Sequence, residues 1–519
     1  MLLLKKIKMN NNEKLNIQVC EIPKAVPVGM VIFGASGDLT YKKLIPSLFG
    51  LYKKGSITKN FFMLGVARTD YDDSSFRKRV EQSINQYFNN ENTKLIHDFC
   101  LSCYYIKGDY ENDTTYINIY QRIIELALCY KTNGNIIYNF AVPPSLFSVI
   151  VKKLGENKLI EKGKNKEPFQ RLLIEKPFGL DFSSADELNK ILLKYVDDEQ
   201  IFRIDHYLGK STVQNILVFR FANSIFERIW NRDCIDCIQI KFAETEGIEN
   251  RGGYFEQAGL LRDVFQNHIL QLISLISMEK PEIFKAEKIQ EQKIKVLKSL
   301  RPLKEKLLNE YLIRGQYKEA KISRQKVLGY RDEKGVEKKS CVETFFAMKL
   351  FIDNNRWKNV PFYIIAGKRL NTTETKINVV FKKNLKCIFC DKQDETQKNL
   401  ITFNIKPEQG VSLRFVAKVP GAKMCVAPLY MKFNYKDVFG YEIIDDYESV
   451  ILDCVLGDQT IFWKKEAIDL AWKFLGPILK KWNSCTLEEK NKFLYFYPAL
   501  SSGPEVAFEF IKRDGREWF

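Results

Sequence analysis

Three stretches of this 519-residue chain carry more polar side chains than packing explains: IEKPFG (174–179), FRIDHYLGK (202–210) and LLRDVFQNH (260–268). The whole sequence holds only three histidines, and two of them, His206 and His268, fall here. Imidazole exchanges protons near neutral pH, so a histidine set among carboxylates and lysines is a candidate acid or base. The third, His97 in KLIHDFC, reads as a helix-surface residue.

A different chemistry is suggested by VIFGASGDLTYKK (31–43), which reads as a strand, a glycine turn and a helix beginning near Asp38. Gly34 and Gly37 let the backbone turn tightly and approach a diphosphate, and the helix start offers unpaired N–H groups to phosphate oxygens. The turn Gly34-Ala35-Ser36-Gly37-Asp38-Leu39 is therefore a candidate cofactor site. It is Gly-x-x-Gly, short of the full G-x-G-x-x-G fingerprint, so an ordinary strand-to-helix connection explains it as well. The next strand, FFMLGVARTD, ends in Arg68, where an NAD-specific protein would carry an acid; an arginine there suits the 2′-phosphate of NADP.

From Val28 to about Arg203, apolar runs alternate with amphipathic ones. VGMVIF, FFMLGVA, NIIYNFAV and RLLIEKP read as buried strands; YKKLIPSLFGLYKK, SFRKRVEQSINQYF and TTYINIYQRIIELALCY read as helices. That alternation predicts a parallel sheet covered on both faces. Beyond it, YFEQAGLLRDVFQNHILQLISLISM reads as one long helix, and EKIQEQKIKVLKSLRPLKEKLLNEYL as helical until Pro302 interrupts it. After about Cys341 the runs TFFAMKLFID, FYIIAG, INVVFKK, LITFNIK and VSLRFVAKV follow without intervening helices, which predicts a mainly antiparallel open sheet with helices on one side.

The expected organisation is a polar extension over 1–23, an α/β Rossmann-like dinucleotide domain over 24–204, and a larger α+β substrate and oligomerisation domain over 205–519. The net charge of +17 is spread through the chain rather than gathered in a stripe, so it favours anionic small substrates and argues against nucleic acid. MLLLKKIKMNNNEK is too short in apolar residues for a signal sequence, and no run suffices for a membrane span, so a cytoplasmic protein is expected. Three Cys-x-x-Cys pairs, Cys100/Cys103, Cys234/Cys237 and Cys387/Cys390, lack knuckle glycines and partner spacing; free thiols and no metal are the expectation.

Taken together, GASGDL, EKPFG, RIDHYLGK, RFANSIFERIWNRD, RGGYFEQAGLLRDVFQNH, WKNVPF and GKRLN closely resemble the signatures of the glucose-6-phosphate dehydrogenase family, in that family's order. The resemblance runs from about residue 28 to beyond 510. It implies oxidation of glucose 6-phosphate at C1 with hydride transfer to NADP, in a homodimer or homotetramer. It further implies that His268 is the general base and Asp205 the carboxylate that orients it. His206, Tyr207 and Lys210 would hold the sugar phosphate, Glu244 and Asp263 the hydroxyls, Lys368 another substrate contact, and Lys176 both sugar and nicotinamide.

Two departures stand out. Thr373 occupies a place where the family commonly has an arginine, and Lys406 replaces the usual glutamine, a change that could restore the lost charge. Ile365, Glu374, Asn378 and Asn404 stand where some members hold a second, structural NADP, so that site is expected to be absent or changed. The rival readings are another sugar oxidoreductase, against which RIDHYLGK together with DVFQNH argues, and an inactive or polyanion-binding scaffold of the same fold, against which intact Asp205, His206, Lys210 and His268 argue.

Overall fold

The computed structural model describes residues 4–6, 16–18, 24–88, 91–163, 167–322, 325–383, 398–421, 424–439 and 445–519. The Cys387/Cys390 pair lies outside them.

Six parallel strands form the first sheet: β1 (Val28–Phe33), β2 (Phe61–Ala67), β3 (Cys103–Lys107), β4 (Ile136–Phe140), β5 (Gln170–Ile174) and β6 (Ile201–Arg203), in spatial order β3-β2-β1-β4-β5-β6. Every residue of β1 and β2 is buried, which explains why they read as unbroken apolar runs. Strand order reverses at β1 and β4. With right-handed crossovers, the helices Ile45–Lys53, Asp73–Tyr87 and Thr93–Leu101 cover one face, and Phe147–Glu156 and Phe182–Tyr195 the other. A ligand crevice is expected outside the strand ends at this reversal.

The second sheet has nine strands: β7 (Ile235–Ala243), β8 (Leu312–Lys318), β9 (Phe345–Leu350), β10 (Phe362–Gly367), β11 (Glu374–Phe381), β12 (Leu400–Lys406), β13 (Gly410–Lys418), β14 (Val426–Asn434) and β15 (Leu494–Pro498). Their order is β14-β13-β12-β11-β7-β10-β9-β8-β15. It is mainly antiparallel as expected, with two parallel pairs, β7/β10 and β8/β15. Trp230 and Phe219 on the helical side pack edge-on against Phe403 of β12. On the other face the chain's own end lies down. Gln239 Nε2 donates to Glu517 O at 2.7 Å and Asn378 Nδ2 to Phe519 O at 3.0 Å. Asn378 is thus engaged by the chain terminus.

Two helical expectations are corrected. The run from Tyr254 is not one helix: Gly252–Leu260 is broken at Gly259 (φ 61°, ψ 175°), and a π-helical segment, Leu261–Ile269, precedes the helix Leu270–Ser277. A β-carbon at Gly259 would lie 2.5 Å from Glu343 Oε1, so only glycine makes this break. The second helix, Ala286–Lys298, ends before Pro302 is reached. The supposed extension also contains short antiparallel strands at Leu4–Lys6 and Asn16–Gln18.

Candidate active site

Gly34 follows β1 with φ +88°, and a β-carbon there would sit 2.1 Å from the carbonyl oxygen of Ala141, just beyond β4. The turn therefore crosses the strand reversal at a closeness only glycine allows. Gly37 is less constrained, since its β-carbon would approach Gly34 O at 3.2 Å. Gly34 N donates to Val66 O at 3.0 Å, and Thr69 Oγ1 donates to Ser36 Oγ at 2.8 Å, so the end of β2 is tied to the turn. Arg68, between those anchors, is exposed and makes no ion pair among the described residues. Ala35 is buried, Asp38 is exposed beside Lys42, and Leu39 packs on the core. A tight glycine turn at the strand reversal, beside a guanidinium without an ion pair among the described residues, fits a dinucleotide.

Four strand ends build the rest. The end of β5 presents Glu175 and Lys176, that of β6 leads to Asp205, and the parallel neighbours β7 and β10 end side by side at Ala243 and Gly367. Glu244 and Lys368 follow directly and pair at 2.5 Å. Facing them, the π-helical segment supplies Asp263 and His268. Such wide turns frequently mark functional sites because they re-aim side chains that a regular helix would spread.

His268 is buried, and both ring nitrogens are engaged. Nδ1 bonds Asp205 Oδ1, and Nε2 meets Lys176 Nζ at 2.9 Å. An ammonium only donates, so Nε2 must be the acceptor and Nδ1 carries the hydrogen given to Asp205. Burial pushes the imidazole below its ordinary range, Asp205 opposes that, and Lys176 reinforces it. Asp205 is also the cap of a short helical turn, accepting from Tyr207 N at 3.1 Å. Burial would raise its carboxyl, but His268 beside it wins and holds it at about 2. Lys176 Nζ additionally donates to Asp263 O at 3.0 Å and pairs with Asp263 Oδ1 at 3.4 Å. Burial opposes ionisation of Asp263, but Lys176 and Lys368 bring it to about 2.

Asp205, His206 and His268 bring metal-ligand atoms within 4.8 Å of one another. Nδ1 and Nε2 of His268 are already taken, so the histidine has no nitrogen left for a cation.

The sequence-designated residues thus divide. Lys176, Asp205, His206, Tyr207, Glu244, Asp263, His268 and Lys368 converge. The His206 ring stands edge-on to His268 at 4.8 Å and lies parallel to Tyr447 at 6.0 Å; burial drives it well below the usual histidine range, so it is neutral at pH 7. The Tyr207 hydroxyl bonds Thr375. Thr375 pairs in register with Lys406, which brings that exposed lysine to the same edge. Lys210 is held in an ion pair by Asp446. Thr373 takes a different task, bonding Thr245 through its hydroxyl at 2.7 Å.

Asp446, Tyr447 and Thr375 were not singled out in the sequence. The acidic pair opening DDYESV was a visible signal, but only the fold carries it back to residue 210.

The family described as "Glucose-6-phosphate dehydrogenase, NAD binding domain" matches residues 31–215, and "Glucose-6-phosphate dehydrogenase, C-terminal domain" matches 217–519. The chain is 39% identical to "Glucose-6-phosphate 1-dehydrogenase" of Chlamydia pneumoniae, over 95% of this chain and 96% of that one. It is 41% identical to the protein of the same name from Aggregatibacter actinomycetemcomitans, over 95% and 98%. A solved structure titled "Glucose-6-phosphate dehydrogenase in complex with its substrate glucose-6-phosphate" superposes with TM-score 0.87 at 32% identity, covering 96% of this chain and 99% of that one.

Proposed function

The chain belongs to the glucose-6-phosphate dehydrogenase family, and from that premise we propose that Asp205 and His268 form the proton-accepting pair of the family's reaction. The enzyme oxidises glucose 6-phosphate at C1 to 6-phosphoglucono-1,5-lactone, the first oxidative step of the pentose phosphate pathway. That oxidation removes a hydride from C1 and a proton from its hydroxyl. A bound nicotinamide dinucleotide supplies the hydride acceptor.

The observation that carries the proposal is the tautomer. With Nδ1–H committed to Asp205, the Nε2 lone pair is presented to the cleft, where Lys176 now donates to it. The C1 hydroxyl takes the place of that ammonium as donor to Nε2. As its proton transfers, the ring becomes an imidazolium, and the Asp205 carboxylate stabilises the new charge. Lys176, displaced from Nε2, stays within reach of Asp263 and offers positive charge to the oxygen left at C1. Glu244, Asp263 and Lys368 hold the ring hydroxyls. Tyr207, Lys210 and Lys406, with neutral His206 as an N–H donor, receive the phosphate; the dianion competes with Asp446 for Lys210. Loss of turnover in His268→Asn is the test, developed in the Discussion.

NADP is the proposed cofactor, and unpaired Arg68 at the end of β2 supports that choice. A charge-assisted contact of about 1.5–3 kcal/mol is at stake, so Arg68→Ala is expected to raise KM for NADP by roughly 10- to 100-fold while NAD kinetics barely change. Equal losses with both cofactors would remove Arg68 from that role.

The reading takes residues 24–204 as the dinucleotide domain and 205–519 as the substrate and oligomerisation domain, in a cytoplasmic protein. The thiols of Cys100, Cys103, Cys454 and the other described cysteines are free, which suits a reducing compartment. A homodimer or homotetramer is supported by the outer strands β13 and β14. Leu429, Tyr430 and Met431 are each about half exposed there, an apolar edge that a second copy would cover. A light-scattering mass equal to one chain would overturn this.

A further inference from the structure

Lys293 lies in the middle of the helix Ala286–Lys298, is fully buried, and its Nζ has no hydrogen-bond partner among the described residues. Taking a lone ammonium out of water is costly, so such a lysine calls for a counter-charge. Its helix packs on Leu270–Ser277, the direct continuation of the segment that carries His268. Gln271 on that neighbouring helix is likewise buried, with both amide atoms unpartnered among the described residues.

Among the described residues, the charge that acts on the Lys293 ammonium is that of Asp205. Asp205 has an oxygen to spare. Oδ1 takes both the ring hydrogen of His268 and the N–H of Tyr207, whereas Oδ2, equally buried, has no partner among the described residues. Two buried groups of opposite charge, each without a hydrogen-bond partner among the described residues, thus lie close enough for the carboxylate to act on the ammonium. Burial brings the ammonium down to about 7 against the pull of Asp205, so it is largely protonated in the pH range where a buried histidine titrates.

We infer that Lys293 is a positioning residue for the reaction: it supplies the counter-charge that keeps the Asp205–His268 pair in its proton-accepting form. In the resting pair the ring is neutral and Asp205 carries an unshared negative charge. A cation acting on that carboxylate stabilises this state and opposes protonation of the ring. Of the other groups facing the pair, Lys176 opposes an imidazolium and Asp263 favours it, His206 is kept neutral by burial, and the charge of Asp205 opposes ionisation of buried Glu175. None of them lies on the helix that carries Lys293.

The inference rests on His268 being the base, and Lys293→Met tests it separately. Methionine fills similar volume without charge. Removing a positive charge makes the ring easier to protonate, so the acidic limb of the kcat profile should move up by about one pH unit, roughly tenfold in rate on that limb. The rate at high pH and both KM values should stay within about threefold. The melting temperature should fall modestly, because buried Asp205 loses its counter-charge. The substrate phosphate titrates identically in both enzymes and cancels in the comparison. An unmoved or downward-moving limb overturns the inference, as does an equal rate loss at every pH, the signature of a merely structural lysine. His268→Asn is run alongside: if it stays active, the assignment of the base has failed, whereas an inactive His268→Asn with an unmoved Lys293→Met limb overturns this inference alone.

Discussion

Replacing His268 with asparagine is expected to lower kcat by about 10²–10⁴, the usual worth of a positioned general base, with KM for glucose 6-phosphate nearly unchanged. Asparagine keeps the size of the inner half of the ring and can donate to Asp205 as Nδ1 does now, so the buried carboxylate is not stranded. What it cannot do is accept a proton at the position of Nε2. The groups assigned to the sugar hydroxyls are held independently of the ring: Glu244 and Lys368 pair with each other, and Asp263 is anchored by Lys176. Loss of kcat and kcat/KM together therefore reports an interaction made only in the transition state. Steady-state rates decide, and near-normal turnover would remove His268 from the role.

Asp205→Asn is the second large effect, and its cause differs. Because Oδ1 accepts from both His268 Nδ1 and Tyr207 N, the new amide must place its oxygen there and its NH₂ toward the side of the present Oδ2. The ring then keeps its tautomer and loses only the charge that steadies the imidazolium. The expected fall in kcat is again about 10²–10⁴. The sign of the accompanying pH shift is fixed. Asp205 raises the affinity of His268 for a proton, so without its charge the acidic limb moves to lower pH while the rate drops at every pH, because the remaining base is weaker. A limb that moved upward, or a loss under threefold, would contradict this account.

Much of the first domain was legible because its strands are buried on both faces and so read as bare apolar runs between amphipathic helices. The strand CYYIK was missed: β3 lies at the sheet edge, only Cys103 and Tyr105 of it are buried, and its run is short. The nine-stranded sheet was less legible. LIRGQYK of β8 buries Arg314 and Gln316, whose polar character hides a strand, and nothing local announces that β7 pairs with β10, more than a hundred residues on. Gly259 was overlooked inside an apolar periodicity, although its positive φ is what sets the π-helical segment apart from the helix before it.

At the site, the motifs carried the residue types and the fold supplied their meetings. That His268 meets Asp205 was implied only by the family resemblance, since no spacing rule joins positions 63 residues apart. Lys293 was invisible in EKIQEQKIKVLK, where lysines at this density read as a solvated face. Only its complete burial sets it apart.

The most direct test of the central claim is ¹⁵N NMR of the enzyme labelled at its three histidines, with the His268 signal identified by its absence in His268→Asn. The account predicts a neutral ring at pH 7, protonated on Nδ1 and bare on Nε2, that becomes cationic only below the ordinary histidine value of about 6.5. A hydrogen on Nε2, or an imidazolium already present at neutral pH, would contradict it.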